Sequence, residues 1–178
     1  DNNGAGGGEA ITGFGIKTSG TYYIMAASKS YQYNHREPYQ LTLKTAVHDS
    51  SSELEPNNSF DNAGRVAGNT VSGKINHSGD QDYFFYDEMK DGNVRIRLQG
   101  DPALDTMFTV YNSEKNKIIE GNNSGAGSEE VIPAVFTGDG VYVRVNSIQS
   151  ASADQSYRLV FEQLSIDGES ETEPNNTL

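Results

Sequence analysis

Two pairs of acidic residues are the side chains of this sequence best suited to chemistry. In each pair the two residues lie two positions apart. Glu53 and Glu55 lie two apart in a segment that leads into Pro56, and Asp80 and Asp82 repeat that spacing before an aromatic run. The residue before a proline is biased towards extended backbone, in which side chains two apart point to the same side. Clustered carboxylates repel each other unless a cation lies between them. The two pairs therefore indicate a site for a hard cation such as Ca²⁺, which takes about 6–8 oxygen ligands.

Two amides extend this acidic pattern. Asn57 and Asn58 follow Pro56 directly and offer neutral carbonyl oxygens. If residues 53–58 cross the turn before Asp82, one Ca²⁺ would join this segment to the body of the fold. The alternative is a set of solvated surface acids in an acidic protein, and the residues alone leave both interpretations open.

The sequence offers little for catalysis. Its three histidines, His35, His48 and His77, have no companions that would form a nucleophile–base–orienter arrangement. The absence of cysteine excludes thiolate metal sites, cysteine nucleophiles and disulfides. No His-Glu-x-x-His motif occurs, and the glycine-rich run 4–8 lacks the Lys-Ser/Thr of a phosphate loop. We therefore expect a protein that is not an enzyme.

The net charge of the chain makes two classes of binding partner unfavourable. The 178 residues include 25 Asp and Glu against 13 Lys and Arg, a formal net charge of −12. An acidic surface repels phosphate, so nucleic acid and anionic membranes are poor partners. No segment approaches the ~20 apolar residues that span a bilayer, and we expect no membrane insertion.

An internal repeat organises the chain. Glu-Leu-Glu-Pro-Asn-Asn at 53–58 recurs as Glu-Thr-Glu-Pro-Asn-Asn at 171–176. Gly-Thr-Tyr-Tyr at 20–23 matches Gly-Val-Tyr-Val at 140–143, and Tyr-Gln-Leu-Thr-Leu at 39–43 matches Tyr-Arg-Leu-Val-Phe at 157–161. Three ordered matches at a spacing of about 118–120 residues indicate tandem units.

The chain contains one complete unit of the repeat with a partial unit on each side. Residues 1–48 are expected to be the C-terminal part of a preceding unit, residues 49–168 a complete unit, and residues 169–178 the start of a following one. The partial units belong to a longer tandem array, or neighbouring chains complete them by strand addition. The sequence does not separate these two cases.

Within the complete unit, apolar and polar residues alternate as in half-buried strands. The clearest alternation covers 94–98, 141–145 and 157–161, and further candidate strands are 70–75, 82–87, 107–112 and 117–120. One short helical candidate covers 59–63. Seven or eight short strands predict an all-β fold, a β-sandwich with jelly-roll or Greek-key connections.

Four consecutive aromatic residues at 83–86 follow Asp82. Consecutive strand residues face opposite sides of a sheet, so at most half of them can lie in the core. We expect these residues to form part of the sandwich core and to cover strand edges, and the alternative is a platform that binds a ligand.

The resemblance to a known family rests on five motifs in a fixed order: Glu-x-Glu-Pro-Asn-Asn at 53–58, then 73–75, 79–84, 140–145 and 157–159. In this order they resemble the bacterial pre-peptidase C-terminal domain, and the collagen-binding domains of clostridial collagenases are similar. The resemblance covers residues 53–161 and the partial units beside them. It implies a non-catalytic β-sandwich of secreted proteins, commonly placed after a peptidase domain, with Ca²⁺ at the N-terminal linker in the collagenase branch. Carried over by motif, the candidate metal ligands are Glu53, Glu55, Asn57, Asn58, Asp80 and Asp82. Where the collagenase branch often has Asn-Asp, this chain has Asn57-Asn58, which removes one carboxylate.

Two functions from different classes are therefore expected. The first is an extracellular, calcium-stabilised accessory or binding module in tandem repeats of a secreted bacterial protein, associated with a peptidase or the cell surface. Its partners would be neighbouring repeats and an extracellular-matrix or cell-surface polymer. The second is a structural repeat of an extracellular fibre or adhesin, a homo-polymer assembled by β-strand complementation between chains.

Overall fold

The structure is a computed structural model that describes residues 7–11, 14–16, 18–28, 38–148 and 155–165. The predicted start of a following unit, residues 169–178, lies outside the described residues. No helix in the described part of the chain is long and apolar enough to cross a membrane.

The described residues form nine strands, all within the unit that the repeat predicts to be complete. The strands are β1 Gly64–Arg65, β2 Thr70–Lys74, β3 Gln81–Tyr86, β4 Asn93–Gly100, β5 Thr106–Asn112, β6 Lys117–Gly121, β7 Glu129–Phe136, β8 Val141–Ser147 and β9 Ser156–Leu164. Each of the seven predicted strands is present with shifts of a few residues at its ends.

The strands form two sheets. One has the order β1-β3-β8-β5-β6 and the other the order β2-β9-β4-β7. Strand β1 runs parallel to β3, and the other ladders are antiparallel. The last two strands therefore lie inside different sheets: β8 between β3 and β5, and β9 between β2 and β4.

One hydrophobic core joins the two sheets. Val143 of β8 and Leu159 of β9 are both fully buried in it. Tyr86 of β3 and Phe161 of β9 stack across the core with ring centroids 4.2 Å apart and planes 3° apart. The all-β prediction is confirmed, and the two-sheet arrangement is that of a β-sandwich.

The aromatic run 83–86 divides between the two faces of β3, as its alternation predicts. Phe84 and Tyr86 lie in the core. On the outer face, Tyr83 packs edge-on against Phe60 at 4.7 Å, and Phe85 lies 4.6 Å from Tyr142. The outer aromatics thus pack against one another and form cover for the sheet.

Two strands and one turn differ from the sequence-based expectation. Strand β1 has only two residues, too few for a pattern. Strand β7 was not predicted, because Glu129, Glu130 and Pro133 interrupt its alternation. It tolerates Pro133 because it is an edge strand whose register with β4 shifts between Val94 and Ile96. The helical candidate at 59–63 is a single 3₁₀ turn, Phe60–Asn62.

The described residues between 7 and 48 form no strand. Phe14 makes one parallel bridge to Glu55, and the backbone N–H of Gly15 donates to the Glu55 carbonyl oxygen at 2.5 Å. Most large apolar side chains of this region are exposed, among them Tyr23, Met25 and Leu43.

Candidate metal centre

Residues 51–58, which we call the linker, precede the first strand and lie along β2 and β3. This position brings the side chains of the linker to the sandwich. The N–H of Glu53 donates to the carbonyl of Ser72 in β2 at 2.8 Å, and the N–H of Ser72 donates to the carbonyl of Ser51 at 2.8 Å. Further along, the N–H of Tyr83 in β3 donates to the carbonyl of Asn57 at 2.9 Å. The linker is thus attached to one strand of each sheet.

Three carboxylates meet where the linker crosses the start of β3. Glu53, Glu55 and Asp82 each place an oxygen within 4.8 Å of the others. Asp82 is fully buried, whereas both glutamates are half-buried. We call these three residues the carboxylate cluster. The structure therefore brings together three of the six predicted ligands, from segments about 27 residues apart in sequence.

Hydrogen-bond donors surround the carboxylate cluster. The Tyr157 hydroxyl of β9 lies 2.7 Å from Oδ2 of Asp82 and 3.2 Å from Oε2 of Glu53. The backbone N–H of Lys74 donates to Oε1 of Glu53 at 2.7 Å. Asn76 donates through its amide to Oε1 of Glu55 at 2.8 Å. These contacts fix the orientation of each carboxylate.

The fully buried side chain of Asn57 also faces the carboxylate cluster. With its amide nitrogen on that side, it donates to Oε2 of Glu55 at 3.0 Å and to Oδ1 of Asp82 at 2.9 Å. The opposite amide orientation presents an oxygen to the same two carboxylates. In that second orientation the Asn57 oxygen faces two carboxylate oxygens with no side-chain donor between them, a contact that a bound cation would make favourable.

The other two predicted ligands, Asn58 and Asp80, lie beside the carboxylate cluster and outside the group of three. The Asp80 carboxylate accepts from the backbone N–H groups of Asn76 at 2.6 Å and Gln81 at 3.1 Å. It also accepts from the Asn58 amide at 3.4 Å. In this arrangement Asp80 holds the turn before β3 closed.

Burial gives the carboxylate cluster unusual acid–base properties. Desolvation raises the pKa of Glu53 to about 7, helped by the charge of Glu55 and opposed by the hydrogen bond from Lys74. Desolvation also raises the pKa of Asp82 to about 9, and the charge of Glu53 adds to that effect. Burial and these two carboxylates raise the pKa of Tyr157 well above its usual value, so its hydroxyl stays a donor. Near neutral pH the cluster therefore holds a proton or requires a cation.

The composition of this centre suits a hard cation. It presents carboxylate and amide oxygens without histidine or cysteine, the ligand type that Ca²⁺ and Mg²⁺ prefer. Three carboxylates and the Asn57 amide offer up to about seven oxygens, within the range that Ca²⁺ takes. Glu53, Glu55, Asp82 and Asn57 are the residues that would hold the ion.

Sequence patterns alone did not identify Tyr157 or Gly73 as parts of the centre. Tyr157 lies in a predicted strand, and its recurrence as Tyr39 in the repeat is the signal that the sequence offers. Gly73 pairs with Tyr157 in the β2–β9 ladder. A Cβ at Gly73 would overlap the Tyr157 ring and the Glu53 carboxylate, so this position leaves the space that both occupy.

No family model matches the sequence. Among solved structures, the chain is similar to the pre-peptidase C-terminal domain of collagenase from Bacillus anthracis, the kind of domain that the sequence motifs resemble. The TM-score is 0.44 and the identity 16%, and the match covers 55% of this chain and 92% of that domain. A similarity of this size does not assign the chain to a family.

Proposed function

We propose that the sandwich unit is a calcium-stabilised, non-catalytic accessory module, one of several in tandem in a secreted bacterial protein. The observation that carries the proposal is the convergence of the two linker glutamates on the buried Asp82. The extracellular location, the association with a peptidase or the cell surface, and binding of a matrix or surface polymer are parts of the same proposal.

The role of calcium would be to attach the linker to the sandwich. Glu53 and Glu55 belong to the linker, and Asp82 belongs to β3. Without a cation, the cluster must retain protons, or its negative charges repel one another at the point where the linker lies against the strands. Bound Ca²⁺ would remove this repulsion and fix the direction in which a preceding unit enters.

A non-catalytic role accords with the surroundings of His77 and of the carboxylate cluster. His77 is mostly exposed, and its ring contacts the Ser78 carbonyl and lies 3.7 Å from the Asp80 carboxylate. The carboxylate cluster is surrounded by donors and by the Tyr157 ring. Neither place pairs a nucleophile with a base.

Thermal unfolding in the presence and absence of calcium tests this function. A ligand bound only to the native state stabilises it by about 2.7 kcal/mol at a concentration 100 times Kd. For a unit of roughly 100 residues, we expect CaCl2 to raise the Tm by on the order of 10 °C relative to EDTA. Calorimetry on the 178-residue chain measures this difference.

Matched variants assign the effect to the site. Asp82→Asn should remove most of the calcium-dependent rise, and Glu55→Gln should reduce it even if the first variant folds poorly. Asp139→Asn changes an exposed carboxylate in the β7–β8 turn and should keep the full response. The same Tm in CaCl2 and EDTA for the wild-type chain would refute the calcium site.

A further inference from the structure

We infer that residues 14–16, 20–25 and 39–43 belong to the last three strands of a preceding sandwich, and that its earlier strands, upstream in the same polypeptide, cover them. This inference rests on the tandem organisation within the proposed function, and it does not depend on calcium. The five residues that carry it are Tyr23, Met25, Tyr39, Leu41 and Leu43.

Exposure of these five side chains is the main observation. Their exposed fractions are 92% for Tyr23, 89% for Met25, 79% for Tyr39, 58% for Leu41 and 72% for Leu43. The repeat aligns them with five core residues of the intact unit: Val143, Val145, Tyr157, Leu159 and Phe161. Each of these counterparts is at most 2% exposed. Large apolar side chains thus lie in solvent at the positions where the same fold buries them.

The intervening residues align with the outer face of β8. Tyr22 corresponds to Tyr142, and Ile24 corresponds to Arg144, both half-buried on the outer face of β8. One face of the segment therefore aligns with core positions and the other with outer positions of the same strand. Isolated exposed apolar residues are common on proteins, but a full strand pattern in register with a core is not.

A second copy of this chain cannot supply the cover without unfolding part of itself. The places for these strands in the intact unit are between β3 and β5 and between β2 and β4. Its own β8 and β9 fill both places along their length. The partner must therefore be a sandwich that lacks these strands.

The partner that fits is the first part of a repeat, which carries the strands that correspond to β1–β6 of the intact unit. Its chemistry follows from the intact unit. Tyr39 replaces Tyr157, so the partner should present acidic residues equivalent to Glu53 and Asp82 to the Tyr39 hydroxyl. The exposed strands thus fit a sandwich body that has acidic residues at these two positions.

The contact at Phe14 and Gly15 agrees with this assignment. These residues align with Ala134 and Val135 of β7, an edge strand with one free side. Gly15 packs on Leu54 and donates its N–H to the Glu55 carbonyl. The strand would therefore bind its own sheet on one side and the linker of the next unit on the other.

Hydrogen exchange on two lengths of the protein tests the inference. In the 178-residue chain, the amides of residues 20–25 and 39–43 should exchange almost as fast as in an unfolded peptide. In the protein with its native upstream sequence, the same amides should slow by at least roughly 100-fold. A native sequence without an upstream repeat, or no slowing in the longer protein, would overturn the inference. Slowing that depends on the concentration of the short chain would overturn it in favour of a second copy.

Two variants of nearly equal exposure sharpen the test. Leu41 is 58% exposed and Ile24 is 57% exposed, but their counterparts are the core residue Leu159 and the outer residue Arg144. In the longer protein, Leu41→Arg should abolish the amide protection, whereas Ile24→Arg should retain it. Equal effects would contradict the register.

Exchange measured in CaCl2 and in EDTA separates this inference from the proposed function. Persisting protection in a protein that shows no calcium-dependent Tm would refute the calcium site alone. A full calcium response of residues 49–165 without protection of the exposed strands would refute the inference alone.

Discussion

At the scale of single residues, two buried tyrosines of the same core have different hydroxyl environments. The Tyr157 hydroxyl donates to Asp82, and Glu53 lies within reach. The Tyr86 hydroxyl is buried with no hydrogen-bond partner among the described residues. Because an unmade hydrogen bond of a buried group is unfavourable, the two hydroxyls should contribute to stability with opposite signs.

Removing each hydroxyl provides a matched comparison. Tyr157→Phe should lower the free energy of unfolding by about 1–3 kcal/mol, because it leaves Oδ2 of Asp82 without its donor. Tyr86→Phe should leave the stability unchanged or raise it, since the lost hydroxyl had no partner. Urea unfolding in EDTA measures both, and equal losses would contradict the assigned role of Tyr157.

The sequence predicted the types of residue at the centre better than their contacts. Glu53 and Glu55 follow from spacing and recurrence, and Asp82 from spacing alone, because local backbone geometry sets the side to which such residues point. The contact of Tyr157 with Glu53 and Asp82 spans 104 and 75 positions of sequence. No local pattern encodes such a contact, because it depends on β9 lying beside β2 in the folded sheet.

At the scale of elements, the site depends on the close approach of the linker, β2 and β9. Gly73 of β2 lies opposite Tyr157, and a side chain there would overlap both Tyr157 and Glu53. A glycine inside a strand often marks such an approach. The sequence pattern predicts where β2 and β9 lie along the chain, but it does not predict that these two strands are neighbours in the sheet.

Filling this space should disturb the centre. Gly73→Ala should destabilise the unit by about 1–3 kcal/mol through overpacking and should reduce the calcium-dependent rise in Tm. Gly125→Ala places a Cβ where nothing lies within 4 Å, so it should be neutral. Calorimetry with and without CaCl2 compares the two variants, and a stabilised Gly73→Ala variant would show that the space is not needed.

At the scale of the whole molecule, the raised pKa values make stability depend on pH. Glu53 and Asp82 have folded-state pKa values of about 7 and about 9, against usual values of 4.5 and 3.8. Above pH ~5 the unfolded chain has released protons that the folded cluster retains, so raising the pH favours unfolding. This contribution to stability is complete below pH ~4 and is lost as the pH rises through the folded-state values.

In EDTA, the free energy of unfolding of the wild-type chain should therefore fall between pH 6 and pH 9. The slope is about 1.4 kcal/mol per pH unit for each proton that the folded state retains. Asp82→Asn should flatten the curve, whereas Asp139→Asn should not. Excess Ca²⁺ should oppose the fall, because it binds the deprotonated cluster. Stability that rises with pH in EDTA would contradict the raised pKa values.

By itself, the sequence determined seven of the nine described strand segments, the all-β class and the acidic pairs, because the two-residue period of strands and the chemistry of short motifs are local. The tertiary structure decided which strands are neighbours, and therefore that Tyr157 meets Asp82 and that Gly73 leaves them room. It also showed that the strand-like residues 20–25 and 39–43 are exposed, although their sequence matches that of core strands. The physical reason is that burial and desolvation depend on the facing element, which a strand's own sequence does not contain.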